Sequence, residues 1–413
     1  MLDINFIREN LEEVKKKVAT KNFDSGLLNK LLDFDEERRT LLAQVDNLRA
    51  EKNIAAKEKN IEKGKKVKQK LDELEPKLKK REEEFRHYLS TIPNLPLDSV
   101  PIGSGEEDNK VLREIGEKPK FKFSPKDHLE LGQTLDIIDF ETGSEVTGSG
   151  FYYLKNEGAI LELALVHCAL DLLMDKGYIP MITPDLAREK YYLATGYFPK
   201  GPEAQTYQIA ETDLGLIATA EITLAGYHAN QTFEEADLPK KYAGYSHCFR
   251  MEGGSYGKYS KGLYRVHQFS KVEMFGFTTS DKSEDLHKEF LQNEEGFFQS
   301  LGIHYRVVEM CTGDLGTQAA RKFDLEAWMP GRGDYGEVTS TSNTTDYQAR
   351  NFNIKVKGKD GLEFVHTLNG TMVAVSRALI AILENFQQED GSVKIPEVLQ
   401  KYTGFSEIRP KSN

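Results

Sequence analysis

The sequence predicts an α+β protein in which an N-terminal antiparallel coiled-coil hairpin precedes a domain built on a mainly antiparallel β-sheet flanked by helices. Three observations predict it. Apolar residues recur at heptad spacing through roughly the first ninety positions, a stretch rich in proline and glycine follows, and strand-like segments then succeed one another with few helical patterns between them. A chain of 413 residues also exceeds one ordinary core, so more than one domain is expected.

The hairpin is read from two seams. Leu31, Phe34, Arg38, Leu41, Val45, Leu48, Lys52 and Ala55 lie three and four apart, and Val67, Leu71, Leu74, Leu78, Arg81, Phe85 and Tyr88 resume the rhythm after a break around Gly64. Helices of about thirty residues, at about 1.5 Å per residue, would each be about 45 Å long. Pro76 falls inside the second helix and is expected to kink it. Between Arg49 and Lys70 nine cations stand against three glutamates, a local balance of +6 in a chain of net charge −11. Two readings stay open for this stretch: a solvated helix face, or a tip that binds a polyanion, because clustered cations release counterions from phosphates.

Residues 91–110 read as a linker. The expected boundaries are residues 1–100 for the hairpin unit, 101–118 for the linker and 119–413 for the second domain. Within that domain AILELALVHCALDLLMDKGYIPMITPDLA predicts a long apolar helix ended at Gly177, then a short strand stopped by Pro184. Strand signals follow in KYAGYSHCFRM, GLYRVHQFSKVEMFGFT, HYRVVEMC, AARKFDLEAWMP, YGEVTSTSN and ARNFNIKVK, and a last helix spans residues 373–387.

Composition excludes several classes. With 39% hydrophobic and 29% charged residues the chain reads as globular, and no run approaches the eighteen apolar residues of a membrane span, so a cytoplasmic protein without a membrane partner is expected. Cys168, Cys248 and Cys311 form no CxxC pair and suggest neither a disulfide framework nor a zinc cluster. The acidic balance argues against a general nucleic-acid coat protein.

The charged strands carry the chemistry. In the segment after the loop GGSYGKYSKG, alternation puts Arg265, His267, Phe269, Lys271, Glu273 and Phe275 on one face, with Val266, Val272 and Met274 on the other. The preceding strand ends in Arg250 and Glu252, and Arg377 sits among apolar neighbours in VAVSRALIAIL, a costly place for a guanidinium that meets no anion. An ordinary half-exposed strand is one reading. Three arginines around a phenylalanine also suit a nucleoside triphosphate, with its base on Phe269 and phosphates on Arg250, Arg265 and Arg377. The loop fails the GxxxxGK[ST] spacing, and any metal would be magnesium on oxygen ligands. Glu221 and Glu273 could hold an ammonium, and Glu337, Thr339, Ser340, Asn369 and Thr371 are further polar candidates; each alone is an ordinary surface acid or turn residue.

At this point the chain resembles a known family. Arg250, Glu252, the glycine-rich loop and the strand ending KVEMF resemble motif 2 of the class II aminoacyl-tRNA synthetases; the helix and strand ending at Pro184 resemble motif 1; and GTMVAVSRALIAILEN resembles motif 3. The segments TAE, CFRMEGG, RVHQFSKVE, TGDLG, LNGT and ILENFQQEDG are closely similar to the seryl-tRNA synthetases in particular, over the whole chain. The resemblance implies a class II catalytic domain that activates L-serine with ATP to seryl-adenylate and pyrophosphate, then transfers the seryl group to the terminal ribose of tRNA(Ser), with tRNA(Sec) an open second substrate. It implies catalytic roles for Arg250, Arg265 and Arg377. ATP would be bound by Arg250, Met251, Glu252, Val266, Phe269, Glu337, Val338, Thr339, Ser340 and Arg377, with Mg2+ on Glu337 and Ser340. Serine would be surrounded by Thr219, Ala220, Glu221, Arg250, Glu273, Asn369 and Thr371. Lys57, Lys59, Lys63, Lys65, Lys66 and Lys68 on the arm would meet tRNA, the loop after Glu252 would face its acceptor end, and a homodimer is implied.

Departures from the family pattern are Gly336 before Glu337, Thr339 and Thr341 where serine and cysteine are common, Asn351 after Arg350, and Thr371 in place of serine. None removes a group that the chemistry needs. Two other readings are a related enzyme that loads a carrier protein, against which the arm counts, and a non-catalytic paralogue, against which the three arginines count.

Overall fold

The computed structural model describes residues 1–197, 206–252, 261–359 and 361–411. The loop predicted to face tRNA lies mostly outside them. The chain divides into two compact units, Met1–Leu95 and Pro96–Asn413.

In the first unit, helices α1 (Leu27–Lys57) and α2 (Ile61–Thr91) pair along a seam of buried Val45, Val67, Leu71 and Leu78, with Leu41, Leu42, Leu48 and Leu74 beside them. The two arginines expected in the seams do not enter it as apolar substitutes. Arg38 lies over the Phe85 ring at 4.6 Å and Arg81 over Phe34 at 4.7 Å, so each keeps its charge at the edge while its stem covers an aromatic face. The break falls at 58–60 and not at Gly64, which lies within α2. Asn60 explains the difference: its side chain accepts the Lys63 N–H at 3.0 Å and caps the helix four residues earlier than the glycine suggests. Helix α2 continues through Pro76.

An eight-stranded sheet organises the second unit. Its strands in chain order are β1 (Lys110–Ile115), β2 (Ile179–Ile182), β3 (Lys240–Phe249), β4 (Gln268–Thr278), β5 (Tyr305–Glu309), β6 (Arg321–Met329), β7 (Asp334–Asn343) and β8 (His366–Ala374). Across the sheet the order is β1-β5-β6-β7-β8-β4-β3-β2, antiparallel except between β2 and β3. The helices that matter for the site are α3 (His128–Thr134), α4 (Glu157–Met174), α5 (Glu221–Tyr227), α6 (Ser283–Ser300), α7 (Tyr347–Phe352) and α8 (Val375–Asn385).

One face of the sheet buries Val272, Met274, Leu325, Val338 and Leu368 against Leu165 of α4, Phe290 and Phe297 of α6 and Leu379 of α8. On the opposite face, a smaller core packs Phe275 and Phe277 against Leu224 of α5 and Phe352 of α7. The remaining part of that second face is polar and carries Lys271, Glu273 and Asn369.

Two segments differ from the sequence reading. Residues 110–115, expected in the linker, form the edge strand β1; all but Ile115 are exposed, so backbone pairing with β5 makes the strand and no apolar pattern announces it. ARNFNIKVK begins as helix α7, and only Lys355–Gly358 is extended.

Candidate active site

Strand alternation builds the site from β4 outward. Phe269, Lys271 and Glu273 project from the polar face while Val272 and Met274 enter the main core, as period-2 pleating requires. Register then sets the neighbours: Glu273 pairs with Thr371 of β8 and Gly244 of β3. Alternation fails just before the strand. Gly262–Tyr264 is a 3-10 turn, so Arg265 and Val266 both line the cleft with Phe269, and His267 turns away to stack on Phe151 at 5.3 Å and to meet Tyr207 Oη at 2.8 Å.

The cleft is lined by Arg250, Glu252, Arg265, Val266, Phe269, Glu337, Thr339, Thr371 and Arg377, joined by Tyr264 and Lys271. Arg250 lies over the Phe269 ring at 5.3 Å, and Arg265 Nη1 is 3.4 Å from Glu252 Oε2. Glu252 adopts φ +49°, at the point where the chain leaves the strand. Arg377, from the first turn of α8, lies over Tyr264 at 4.9 Å and reaches Glu337 of β7. Burial would raise the Glu337 carboxyl, but Arg377 and Lys322 outweigh it and hold the group well below the usual carboxylate range. An adjoining cavity of about 450 Å³ shares Tyr264, Arg265, Glu337 and Arg377 and extends to Lys322 and Asp324.

Along β7 the predicted residues separate. Leu325 opposes Thr339 and Asp324 opposes Ser340, so the two side chains point to opposite faces of β7, although Thr339 also lines the cleft. The Thr339 hydroxyl donates to Glu294 Oε2 of α6 at 2.9 Å, while Ser340 bonds the Asp324 carboxylate. Met251 is exposed and does not line the cleft. Ala220 packs into the smaller core through its methyl group.

Deeper in, a second group forms around two carboxylates. Thr219 donates to Glu273 at 3.2 Å and accepts from Lys271 Nζ at 2.8 Å, and Lys271 pairs with Glu273. Glu221, at the start of α5, receives Gln348 Nε2 at 2.7 Å, Asn369 Nδ2 at 3.0 Å and Tyr197 Oη at 3.2 Å. It is 2% exposed, and no cation pairs with it among the described residues. Burial first, and the nearby Glu273 second, push its carboxyl up to about 7. The carboxylate is thus met by neutral donors, with Lys271 acting on it only at longer range, and burial drives it toward its protonated form.

The sequence reading does not single out Tyr197, Tyr264, Gln348 and Asp324. Spacing places Lys271 on the right face but gives it no part. Gln348 lies just before a segment read as a strand, and nothing local marks Tyr264. Magnesium is implied by the family resemblance, and the oxygen donors suit it: Glu337 and Ser340 lie beside Asp324, whose buried Oδ1 has no hydrogen-bond partner among the described residues. Among the described residues no group of three or more His, Cys, Asp or Glu side chains forms a metal cluster, so such an ion would need phosphate oxygens as well.

On the first unit, Lys57, Lys59, Lys63, Lys65, Lys66 and Lys68 are all exposed around the hairpin turn.

Comparison with known proteins gives one answer along the whole chain. Residues 1–96 match the seryl-tRNA synthetase N-terminal domain, and residues 206–386 match the class II tRNA synthetase core domain (G, H, P, S and T). The chain is 51% identical to the serine–tRNA ligase of Dictyoglomus turgidum over 100% of both chains. It is 49% identical to that of Rubrobacter xylanophilus over 99% of both. Among solved structures, seryl-tRNA synthetase from Pyrococcus horikoshii complexed with ATP aligns with a TM-score of 0.91 at 41% identity over 100% of both chains.

Proposed function

The chain belongs to the seryl-tRNA synthetases, class II enzymes that ligate serine to tRNA, and from that premise we propose how its residues divide the work. The enzyme is a serine–tRNA ligase: it activates L-serine with ATP and passes the seryl group to tRNA(Ser).

The observation that carries the residue assignment is Glu221, a buried carboxylate served by three neutral donors and in no ion pair among the described residues. Serine brings the missing ammonium. Thr219 and Thr371 stand near Glu273 to meet the hydroxyl, so alanine would leave buried polar groups unpaired and is rejected strongly, whereas threonine must be excluded by fit. The serine carboxylate attacks the α-phosphorus, forming the acyl–phosphate bond as the bond to pyrophosphate breaks.

No side chain of the enzyme becomes covalently attached. Arg250 holds the α-phosphate, Phe269 stacks on the adenine, Glu252 faces its amino group, and Arg265 and Arg377 carry the outer phosphates. Fixed cations in a water-poor cleft favour the charge that develops on the leaving pyrophosphate. Glu337 and Ser340, with Asp324 beside them, would hold Mg2+, which neutralises phosphate charge when bound. The second step transfers the acyl group to the tRNA ribose and releases AMP.

Homodimerisation is supported by apolar residues that α4 and β2 leave exposed: Ile160, Leu163, Met174, Ile179 and Ile182. Sedimentation would check it. A cytoplasmic location is assigned from composition; no helix among the described residues is long and apolar enough to cross a membrane. The lysine tip is assigned to the tRNA backbone, and charging assays on tRNA(Ser) and tRNA(Sec) would define its range.

Pyrophosphate exchange with serine, threonine, alanine and glycine in parallel tests the whole assignment. Serine alone should support rapid exchange in the wild type, and Glu221→Gln should raise the serine KM far more than the ATP KM. A Glu221→Gln protein with unchanged serine KM would remove Glu221 from amine recognition.

A further inference from the structure

A buried histidine outside the cleft links two of its walls. His128 opens α3 and is fully buried. Its Nδ1 is 2.9 Å from Glu384 Oε1, and its own backbone N–H donates to the same oxygen at 3.0 Å. Glu384 Oε2 accepts the Gly331 N–H at 2.9 Å. On the other side of the ring, the Leu263 N–H donates to Nε2 at 3.2 Å.

These contacts fix the tautomer. A backbone amide can only donate, so Nε2 must present its lone pair, and the ring proton sits on Nδ1 and points to Glu384. The imidazole is therefore neutral and acts as a two-sided connector. One side is Glu384, two turns along α8 from Arg377. Leu263, on the other side, immediately precedes Tyr264 and Arg265.

Neighbouring contacts strengthen the link. Asp127 pairs with Lys261, and its Oδ1 also caps α3 by accepting the Leu129 and Glu130 N–H groups. Gly262 has φ +58°, and a Cβ there would lie 2.3 Å from His128 Nε2, so the backbone passes as close to the ring as glycine allows.

We infer that His128 is a positioning residue for ATP: through Leu263 and Glu384 it sets the spacing between Tyr264–Arg265 and Arg377. Tyr264 lies beneath the Arg377 guanidinium at 4.9 Å, so a shift in the turn moves a cleft wall directly. The inference rests on the assignment of that cleft to ATP.

Two substitutions separate the bonds. Asparagine places its amide nitrogen where Nδ1 lies, so His128→Asn keeps donation to Glu384 and loses the bond to Leu263. Glutamine reaches the position of Nε2, so His128→Gln can accept from Leu263 again. His128→Asn should raise the ATP KM in pyrophosphate exchange by about fivefold or more, the scale of one missing hydrogen bond, with the serine KM unchanged. His128→Gln, which regains the bond to Leu263 but gives up the one to Glu384, should also raise the ATP KM, and wild-type ATP KM in both variants would overturn the inference.

A purely structural part would lower the fraction of titratable active sites and leave the ATP KM of the remainder unaltered, which would overturn the inference. If the asparagine variant does not fold, 15N NMR of histidine-labelled wild type decides: a bare Nε2 and a protonated Nδ1 support the connector, and a protonated Nε2 refutes it. That measurement reads His128 independently of the ATP assignment, whose own failure would show as undiminished exchange in Arg377→Ala.

Discussion

Arg377 Nη1 lies 2.9 Å from Glu337 Oε1 and donates to the Glu337 carbonyl oxygen at 3.1 Å, joining the first turn of α8 to the middle of β7. The guanidinium is thus oriented before any phosphate arrives. On the proposed assignment, its removal takes away both a phosphate ligand and the counter-ion of Glu337. Arg377→Ala is expected to lower serine-dependent pyrophosphate exchange by about 10²- to 10³-fold, the loss typical of one fixed donor at developing charge. Lysine should restore little, since it lacks the planar fork that can hold Glu337 and phosphate together. Wild-type exchange in a folded alanine variant would remove Arg377 from the chemistry.

Serine affinity should depend on pH through Glu221. Its carboxyl is held up at about 7, chiefly by burial and then by Glu273, so below that value the pocket lacks the anion that an ammonium needs. The serine KM should therefore fall as pH rises from about 6 to about 8, and Glu221→Gln should abolish that trend. Stability of the free enzyme runs the other way. Because the folded carboxyl titrates above its ordinary value of 4.5, its contribution is full below that value and is lost as pH rises through about 7. Thermal melts with and without serine across this window would show both slopes; a flat serine KM would contradict the assignment.

Behind the cleft, Glu294 is fully buried and its Oε1 has no hydrogen-bond partner among the described residues, so the Thr339 hydroxyl at 2.9 Å carries its remaining satisfaction. Thr339→Val keeps the shape and removes that donor. The expected cost is about 1–3 kcal/mol in urea unfolding, whereas Thr339→Ser should lie near wild type. Equal stability of all three would show that the bond contributes nothing.

Neutralising Lys57, Lys59, Lys63, Lys65, Lys66 and Lys68 on the hairpin should weaken aminoacylation and spare pyrophosphate exchange, since these exposed side chains belong to a different unit from the cleft. If they neutralise phosphates, the log–log salt slope of tRNA binding should shrink by roughly 0.7–0.9 for each phosphate left without its lysine. An unchanged slope would mark the lysines as solvated surface.

Much of this arrangement is legible in the sequence because it depends on short-range patterns. Heptads give the two hairpin helices, and alternation puts Phe269, Lys271 and Glu273 on one face. Legibility ends where backbone geometry or long-range pairing decides. β1 is a strand only because β5 offers it hydrogen bonds, and Val266 enters the cleft because the 3-10 turn at Gly262–Tyr264 delays the start of β4. Thr339 and Ser340 are adjacent in sequence, yet only the register with Leu325 and Asp324 shows which hydroxyl meets Glu294 and which meets Asp324. Gln348 joins Glu221 across 127 residues, a relationship that no local motif encodes.

The partners of Glu221 also bear on biogenesis. Asn369 reaches it from 148 residues away, and the cleft closes only when Arg377 arrives from a helix beyond the last strand of the sheet. Pairings of such separation form late, after their loop-closure cost has been met. A ribosome-bound chain that has not yet exposed Arg377 therefore lacks a complete amine pocket and phosphate clamp, although its hairpin can already fold. If the lysine tip binds tRNA as proposed, a nascent chain would be able to present it before it can activate serine.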